Sequence, residues 1–205
     1  MGLVTLQLGI LGGTFDPIHV GHLLMAEIAR ETLTLDRVLL VPAADPPHKR
    51  GVRKTAAYHR RRMVELAIAG NTAFELCLFD LERPGPHYSV DMVRGIRTQY
   101  ALAADACHFL IGSDSLADLS TWHNPHELAK LCRLAVACRP AYQPDLAGLE
   151  KEIPGIKSRL NWVPIPAVDF AASTIRTRVR SGQTIRYQVP DAVWRYITDQ
   201  RLYQT

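Results

Sequence analysis

An apolar run, Leu6, Leu8, Ile10 and Leu11, stops at Gly12-Gly13-Thr14, and an amphipathic stretch opening at His19 begins five residues later. A strand that ends in glycines and turns into a helix lets the backbone approach a ligand closely. N–H groups at a helix start carry partial positive charge and favour anions, phosphate above all. His19 and His22 sit three residues apart on one face of the first turn, so both imidazoles can donate to a single anion. Residues 9–23 therefore predict a phosphate cradle at the end of the first strand. A metal site is the other reading of two such histidines, but no acidic or thiol partner stands nearby at zinc-like spacing.

The same strand-then-helix pattern recurs along the chain. Segments 6–11, 37–41, 108–111 and 134–137 read as strands, and 74–81 and 162–165 as extended. Segments 19–33, 58–69, 90–100, 125–131, 173–180 and 191–200 read as helices, and 146–160 as partly helical. Regular alternation predicts an α/β fold: a Rossmann-like, doubly wound parallel sheet flanked by helices, with right-handed crossovers. The 205 residues fit one domain, with a small C-terminal helical part from about 171 to 205. In such sheets ligands bind at the carboxyl ends of the strands near the topological switch point, and Gly12-Gly13-Thr14 lies at such an end.

Composition narrows the setting. No apolar stretch approaches the roughly 18 residues that span a bilayer, and no basic n-region or cleavage site marks a secretory signal. Leu6 stands where myristoylation of Gly2 would want a hydroxyl. A cytoplasmic protein is expected. Cys77, Cys107, Cys132 and Cys138 form no C-x-x-C pair and read as buried free thiols. The formal charge of +4 suits anionic small substrates as well as nucleic acid. The basic cluster from His48 to Arg62 includes Arg60-Arg61-Arg62 on a stretch whose other face is apolar (Met63, Leu66, Ala67). It reads as a solvated helix face, since single-strand recognition would want interleaved aromatics and only Tyr58 is near. No nucleic-acid or membrane partner is expected, and a homo-oligomer is compatible with the sequence.

Four further segments carry chemistry. Pro46-Pro47-His48-Lys49 lies in the charged 42–55 loop, a candidate for ordering by substrate. Tyr88-Ser89-Val90-Asp91 follows a Pro-Gly-Pro turn, with Ser89 as the expected helix cap. Gly112-Ser113-Asp114 closes a strand, and a carboxylate there suits hydrogen bonds to ribose or base. Trp122, expected to be exposed, offers a flat face for a heteroaromatic ring. Taken singly, each has a plain structural reading as a polar loop, a capped helix or a surface aromatic.

Gly13-Thr14-Phe15-Asp16-Pro17 with His19-x-Gly21-His22 resembles the GTFDPxHxGH signature of the nucleotidyltransferase superfamily of α/β-phosphodiesterases. The resemblance implies adenylyl transfer, with His19 and His22 binding ATP phosphates and stabilising the pentavalent transition state. The four segments, in this order, together with Tyr187-x-Val189-Pro190, make nearly the whole chain similar to bacterial nicotinate mononucleotide adenylyltransferases. Such enzymes join ATP and nicotinate mononucleotide into deamido-NAD, with release of pyrophosphate, in NAD biosynthesis. Nicotinamide mononucleotide, or another acceptor of the superfamily, is the alternative substrate. A non-catalytic nucleotide-binding module is the alternative of another class.

The resemblance further implies individual roles. ATP would contact Gly12, Gly13, Thr14, Phe15, His19, His22, Gly112, Asp114, Ser173 and Arg176, with Arg176 on the β- and γ-phosphates as a third catalytic residue. The mononucleotide would contact Thr14, His48, Lys49, Tyr88, Ser89, Asp114, Trp122 and Arg139. In that arrangement Tyr88 and Ser89 line the nicotinate pocket and Trp122 stacks on the pyridine ring. Mg²⁺ would accompany ATP, with no metal site of the protein's own. One stretch departs from the pattern. Before its last helices the family carries Ile-Ser-Ser/Ala-Thr-x-Ile-Arg, whereas this chain reads Phe170-Ala171-Ala172-Ser173-Thr174-Ile175-Arg176. Ala171 lacks a hydroxyl, and Ser173 is left as the expected cap.

Overall fold

The computed structural model describes residues 6–44, 54–138 and 142–204. Six parallel strands form one sheet: β1 (Leu8–Gly13), β2 (Arg37–Pro42), β3 (Phe74–Leu76), β4 (Cys107–Gly112), β5 (Arg133–Cys138) and β6 (Leu160–Pro164), in the order β3-β2-β1-β4-β5-β6. This is the doubly wound arrangement that the alternating pattern predicts, with the strand order reversing between β1 and β4. The apolar strand interiors are buried on both faces, as helices cover both sides of a parallel sheet.

The helices are α1 (Val20–Thr32), α2 (Ala57–Ile68), α3 (Ser89–Gln99), α4 (Ser113–Ala117), α5 (Pro125–Leu131), α6 (Leu146–Glu152), α7 (Ala172–Arg180) and α8 (Asp191–Asp199). One core layer packs Val93 and Ile96 of α3 and Leu128 of α5 against Ile10, Leu39 and Phe109. The opposite layer packs Ala26 of α1 and Met63 of α2 with Ile175, Ile185, Val189, Val193 and Ile197. The last two helices thus complete a core face. His59 Nδ1 and the Tyr196 hydroxyl, 2.8 Å apart, tie α2 to α8.

Three expectations need correction. The 74–81 segment is extended only to Leu76, because β3 is an edge strand paired with Val38–Leu40 alone. Beyond it the chain turns at Leu78, and the buried Asp80 pairs with Arg83 at 2.8 Å. The 146–160 segment breaks at Pro154-Gly155, where Gly155 has φ +86°, and a 3₁₀ turn then leads into β6. The short helix α4 begins directly after β4, where no helix was read. All four cysteines are free thiols, three of them buried. Among the described residues no helix is long and apolar enough to cross a membrane.

Candidate active site at the switch point

β1 and β4 pair only from Leu8 to Ile10, although each strand runs on three residues further. Their carboxyl ends therefore part, with Gly12-Gly13 on one lip of a crevice and Gly112 on the other. A Cβ on Gly12 would lie 3.2 Å from Met92 Cε and 3.6 Å from the Phe109 ring. The floor of the crevice is thus set by α3 and β4.

The first lip carries the histidines. His19 is the N-cap of α1, with extended backbone, and its ring stacks on that of His22 with centroids 3.7 Å apart. The main-chain N–H of His19 donates to His22 Nδ1 at 3.2 Å. An Nδ1 that accepts leaves the ring proton on Nε2, the nitrogen turned away from the backbone. The His22 N–H faces the His19 ring in a capping-box arrangement but bonds the His19 carbonyl, at 3.0 Å. The buried His19 Nδ1 has no hydrogen-bond partner among the described residues. Burial pushes the His19 imidazole down to about 4, so it is neutral at neutral pH.

Gly21 makes this stack fit. A Cβ there would lie 3.2 Å from His19 Cε1, from His19 Nδ1 and from Phe170 Cβ. Phe15, buried at φ +48°, meets the His22 ring edge-on with centroids 5.1 Å apart. A Cβ on Gly13 would crowd the Phe15 ring at 3.0 Å, so the ring would have to give by a few tenths of an ångström.

The turn between β1 and α1 is held from beneath by charge. Arg60, 2 % exposed, donates to the carbonyls of Thr14 (2.8 Å), Ala43 (2.7 Å), Ala44 (3.4 Å) and Thr55 (3.0 Å). The expected solvated face is therefore wrong for Arg60, although Arg61 and Arg62 are exposed and pair with Glu65. The signal was present: Arg60, Met63 and Val64 follow the i, i+3, i+4 spacing of one buried face. The Asp16 carboxylate, also buried, accepts from the Thr55 N–H at 3.1 Å and the Tyr203 hydroxyl at 2.7 Å. Arg176 of α7 donates to the Asp16 carbonyl at 2.7 Å, which brings its guanidinium to the histidine lip.

The N-cap of α7 is Ala171, with no side-chain cap. Ser173 is an exposed second residue of that helix and not its cap. The first-turn N–H groups of α7 are thus left for another acceptor.

On the other lip, Gly112 is the N-cap of α4 and Asp114 lies exposed in its first turn. Tyr142 holds the junction through a 2.9 Å bond from its hydroxyl to the Ser113 carbonyl. Tyr88, not Ser89, is the N-cap of α3, and Ser89 is its first helical residue, because the backbone is still extended at Tyr88. Tyr88 stacks on His123 with centroids 3.9 Å apart. Trp122 is half-buried and meets Phe109 edge-on at 6.3 Å, which corrects its expected full exposure. Phe109 reaches both Trp122 and the Gly12 position, so the aromatic group adjoins the cradle. Phe170, His123 and Met92 are neighbours of the site that the sequence reading missed. His48, Lys49 and Arg139 lie outside the described residues.

Two cavities lie elsewhere. One of about 450 Å³ is lined by Glu75, Cys77, Arg83 and Tyr100 beyond β3, and one of about 250 Å³ by Tyr142, Asp145 and Glu152 beside α6. At the switch point the ends of β1 and β4 are unpaired, and His19, His22 and Arg176 meet at the turn that follows β1. Among the described residues no group of three or more His, Cys, Asp or Glu could hold a metal ion.

Comparison with known proteins agrees with this architecture. The family model described as cytidylyltransferase-like matches residues 10–186. A probable nicotinate-nucleotide adenylyltransferase of Thermomicrobium roseum is 48% identical over 97% of this chain and 92% of its own length. One from Roseiflexus sp. is 40% identical over 96% of this chain and 98% of its own. Among solved structures, Plasmodium falciparum nicotinic acid mononucleotide adenylyltransferase complexed with NaAD shares the fold. Its TM-score is 0.76 at 20% identity, with 96% of both chains covered. The chain belongs to the nicotinate-nucleotide adenylyltransferases, within the cytidylyltransferase-like family.

Proposed function

We propose that the protein transfers the adenylyl group of MgATP to nicotinate mononucleotide, forming deamido-NAD and pyrophosphate. The observation that carries this reading is the stacked His19–His22 pair at the start of α1, with Arg176 held against the same turn. The names of the Thermomicrobium and Roseiflexus relatives supply the acceptor.

The acceptor's 5′-phosphate oxygen attacks the α-phosphorus of ATP in line. A new P–O bond forms there, the α–β bridging P–O bond breaks, and pyrophosphate leaves with the electron pair. The attacking oxygen is already ionised at neutral pH, so no general base is required. Catalysis rests on positioning and on stabilising charge. His22 donates from Nε2 to the α-phosphate. His19 supplies a neutral donor beside it. Arg176 and the uncapped first turn of α7 hold the β- and γ-phosphates, for which a guanidinium fork is suited. Mg²⁺ would enter with ATP as part of the substrate and supply charge to its phosphates. Tyr88, Ser89 and Trp122 flank the pyridine ring, Asp114 the ribose, and His48, Lys49 and Arg139 supply positive charge to the mononucleotide.

ATP labelled at the α-phosphorus tests the bond assignment. The label is expected in the dinucleotide, and a γ-label in pyrophosphate. An α-label recovered in pyrophosphate or in free AMP alone would contradict the reading.

A further inference from the structure

The C-terminal turn after α8 packs in the α1–α2 core layer and reaches the β1–α1 turn. Tyr203 is half-buried, and its hydroxyl lies between the Asp16 carboxylate at 2.7 Å and Met63 Sδ at 3.9 Å. Burial, with Asp16 beside it, pushes the Tyr203 hydroxyl well above its ordinary range, so it remains a donor. The other Asp16 oxygen accepts the Thr55 N–H, and the Asp16 carbonyl receives Arg176. Two guanidiniums, Arg60 and Arg176, therefore attach to the backbone of this one turn while its carboxylate is held from the far end of the chain. A carboxylate left to rotate would swing toward either cation and carry the turn with it. The Tyr203 hydroxyl on one oxygen and the Thr55 N–H on the other fix its orientation.

We propose that Tyr203 is a positioning residue for the transfer reaction, acting through Asp16 to fix where Arg176 meets the phosphates. The inference rests on the adenylyl-transfer reading. The energetic reason is geometric: displacing a catalytic group by about 1 Å can cost up to a hundredfold in rate. The hydroxyl acts on the turn whose Asp16 carbonyl receives Arg176 and leaves the acceptor side, Tyr88 and Trp122, untouched.

The test compares Tyr203→Phe and Met63→Leu in the otherwise intact chain. Wild-type pyrophosphate release with ATP and nicotinate mononucleotide establishes the reaction itself, so its absence would speak against the functional reading and not against the coupling. Tyr203→Phe is expected to lower kcat about tenfold, with the KM for the mononucleotide unchanged. Met63→Leu, which keeps the Asp16 bond, is expected to leave kcat unchanged. In an Arg176→Ala background Tyr203→Phe is expected to cause no further loss, because the two act as one unit. Unchanged kcat in Tyr203→Phe, equal losses in both single variants, or multiplying losses with Arg176→Ala would overturn the proposal. A Tyr203→Phe chain that unfolds at the assay temperature would overturn it too, since the hydroxyl would then serve stability and not geometry.

Discussion

The main-chain N–H of His19 donates to Nδ1 of His22, and this 3.2 Å bond decides which nitrogen of His22 can face a phosphate. One histidine caps the helix and the other, three residues on, is oriented by the cap's own backbone. His22 can therefore donate from Nε2 while neutral, and binding needs no prior protonation.

Removal of that donor should be felt in the chemical step. His22→Ala is expected to lower kcat at least about tenfold, the low end for losing a charge-stabilising donor. Steady-state kinetics with both substrates saturating checks this, and an unchanged kcat removes His22 from the mechanism.

Gly21→Ala separates stability from activity. Alanine favours the helix by up to about 1 kcal/mol over glycine, but its Cβ meets His19 and Phe170 at 3.2 Å. The His19 ring must shift. Thermal unfolding is expected at an equal or higher temperature with kcat/KM for ATP lowered about tenfold or more. Full activity would show that the His19 stack is dispensable.

The His19 environment also predicts a pH effect on stability. Its pKa falls from 6.5 to about 4 on folding, because burial disfavours the charged ring. Above pH 6.5 the ring is neutral in both states. Between 6.5 and about 4 the unfolded chain binds a proton that the folded ring does not, so stability falls as pH falls. Urea unfolding across this window should show a shallower pH slope in His19→Asn than in wild type. Parallel slopes would contradict the burial of a neutral His19.

Arg60→Met should be costly without touching substrate. It strips donors from four buried or half-buried carbonyls, each worth about 1–3 kcal/mol when left unsatisfied. A loss of at least about 3 kcal/mol in denaturant unfolding is expected. A loss under about 1 kcal/mol would mean that water replaces the guanidinium.

The architecture was legible because a parallel sheet writes itself as buried apolar runs separated by amphipathic helices, and β1, α1, β2 and α5 fall where those runs predict. The placement of Gly12-Gly13 at a strand end and of His19 and His22 on one helix start was legible for a similar local reason, since these residues lie within eleven positions of one another and need no distant chain. What was not legible depends on distant chain. Nothing near Asp16 announces Tyr203, 187 residues on. Trp122 looked exposed because its partner Phe109 belongs to another strand. Ser89 and Ser173 have the residue type of caps, but α3 begins one residue too early for Ser89 to cap it and α7 two residues too early for Ser173. Arg60 is the instructive miss, since its spacing with Met63 marked the buried face while its charge argued for solvent.

The reaction to be tested is adenylyl transfer to the acid mononucleotide at this crevice. Its most direct measurement is initial-rate pyrophosphate release from MgATP in parallel reactions with nicotinate mononucleotide, nicotinamide mononucleotide and no acceptor. Release is expected to depend on acceptor, to be highest with nicotinate mononucleotide, and to be lost in His22→Ala. Release that is equal without acceptor, or absent with both mononucleotides, would contradict it.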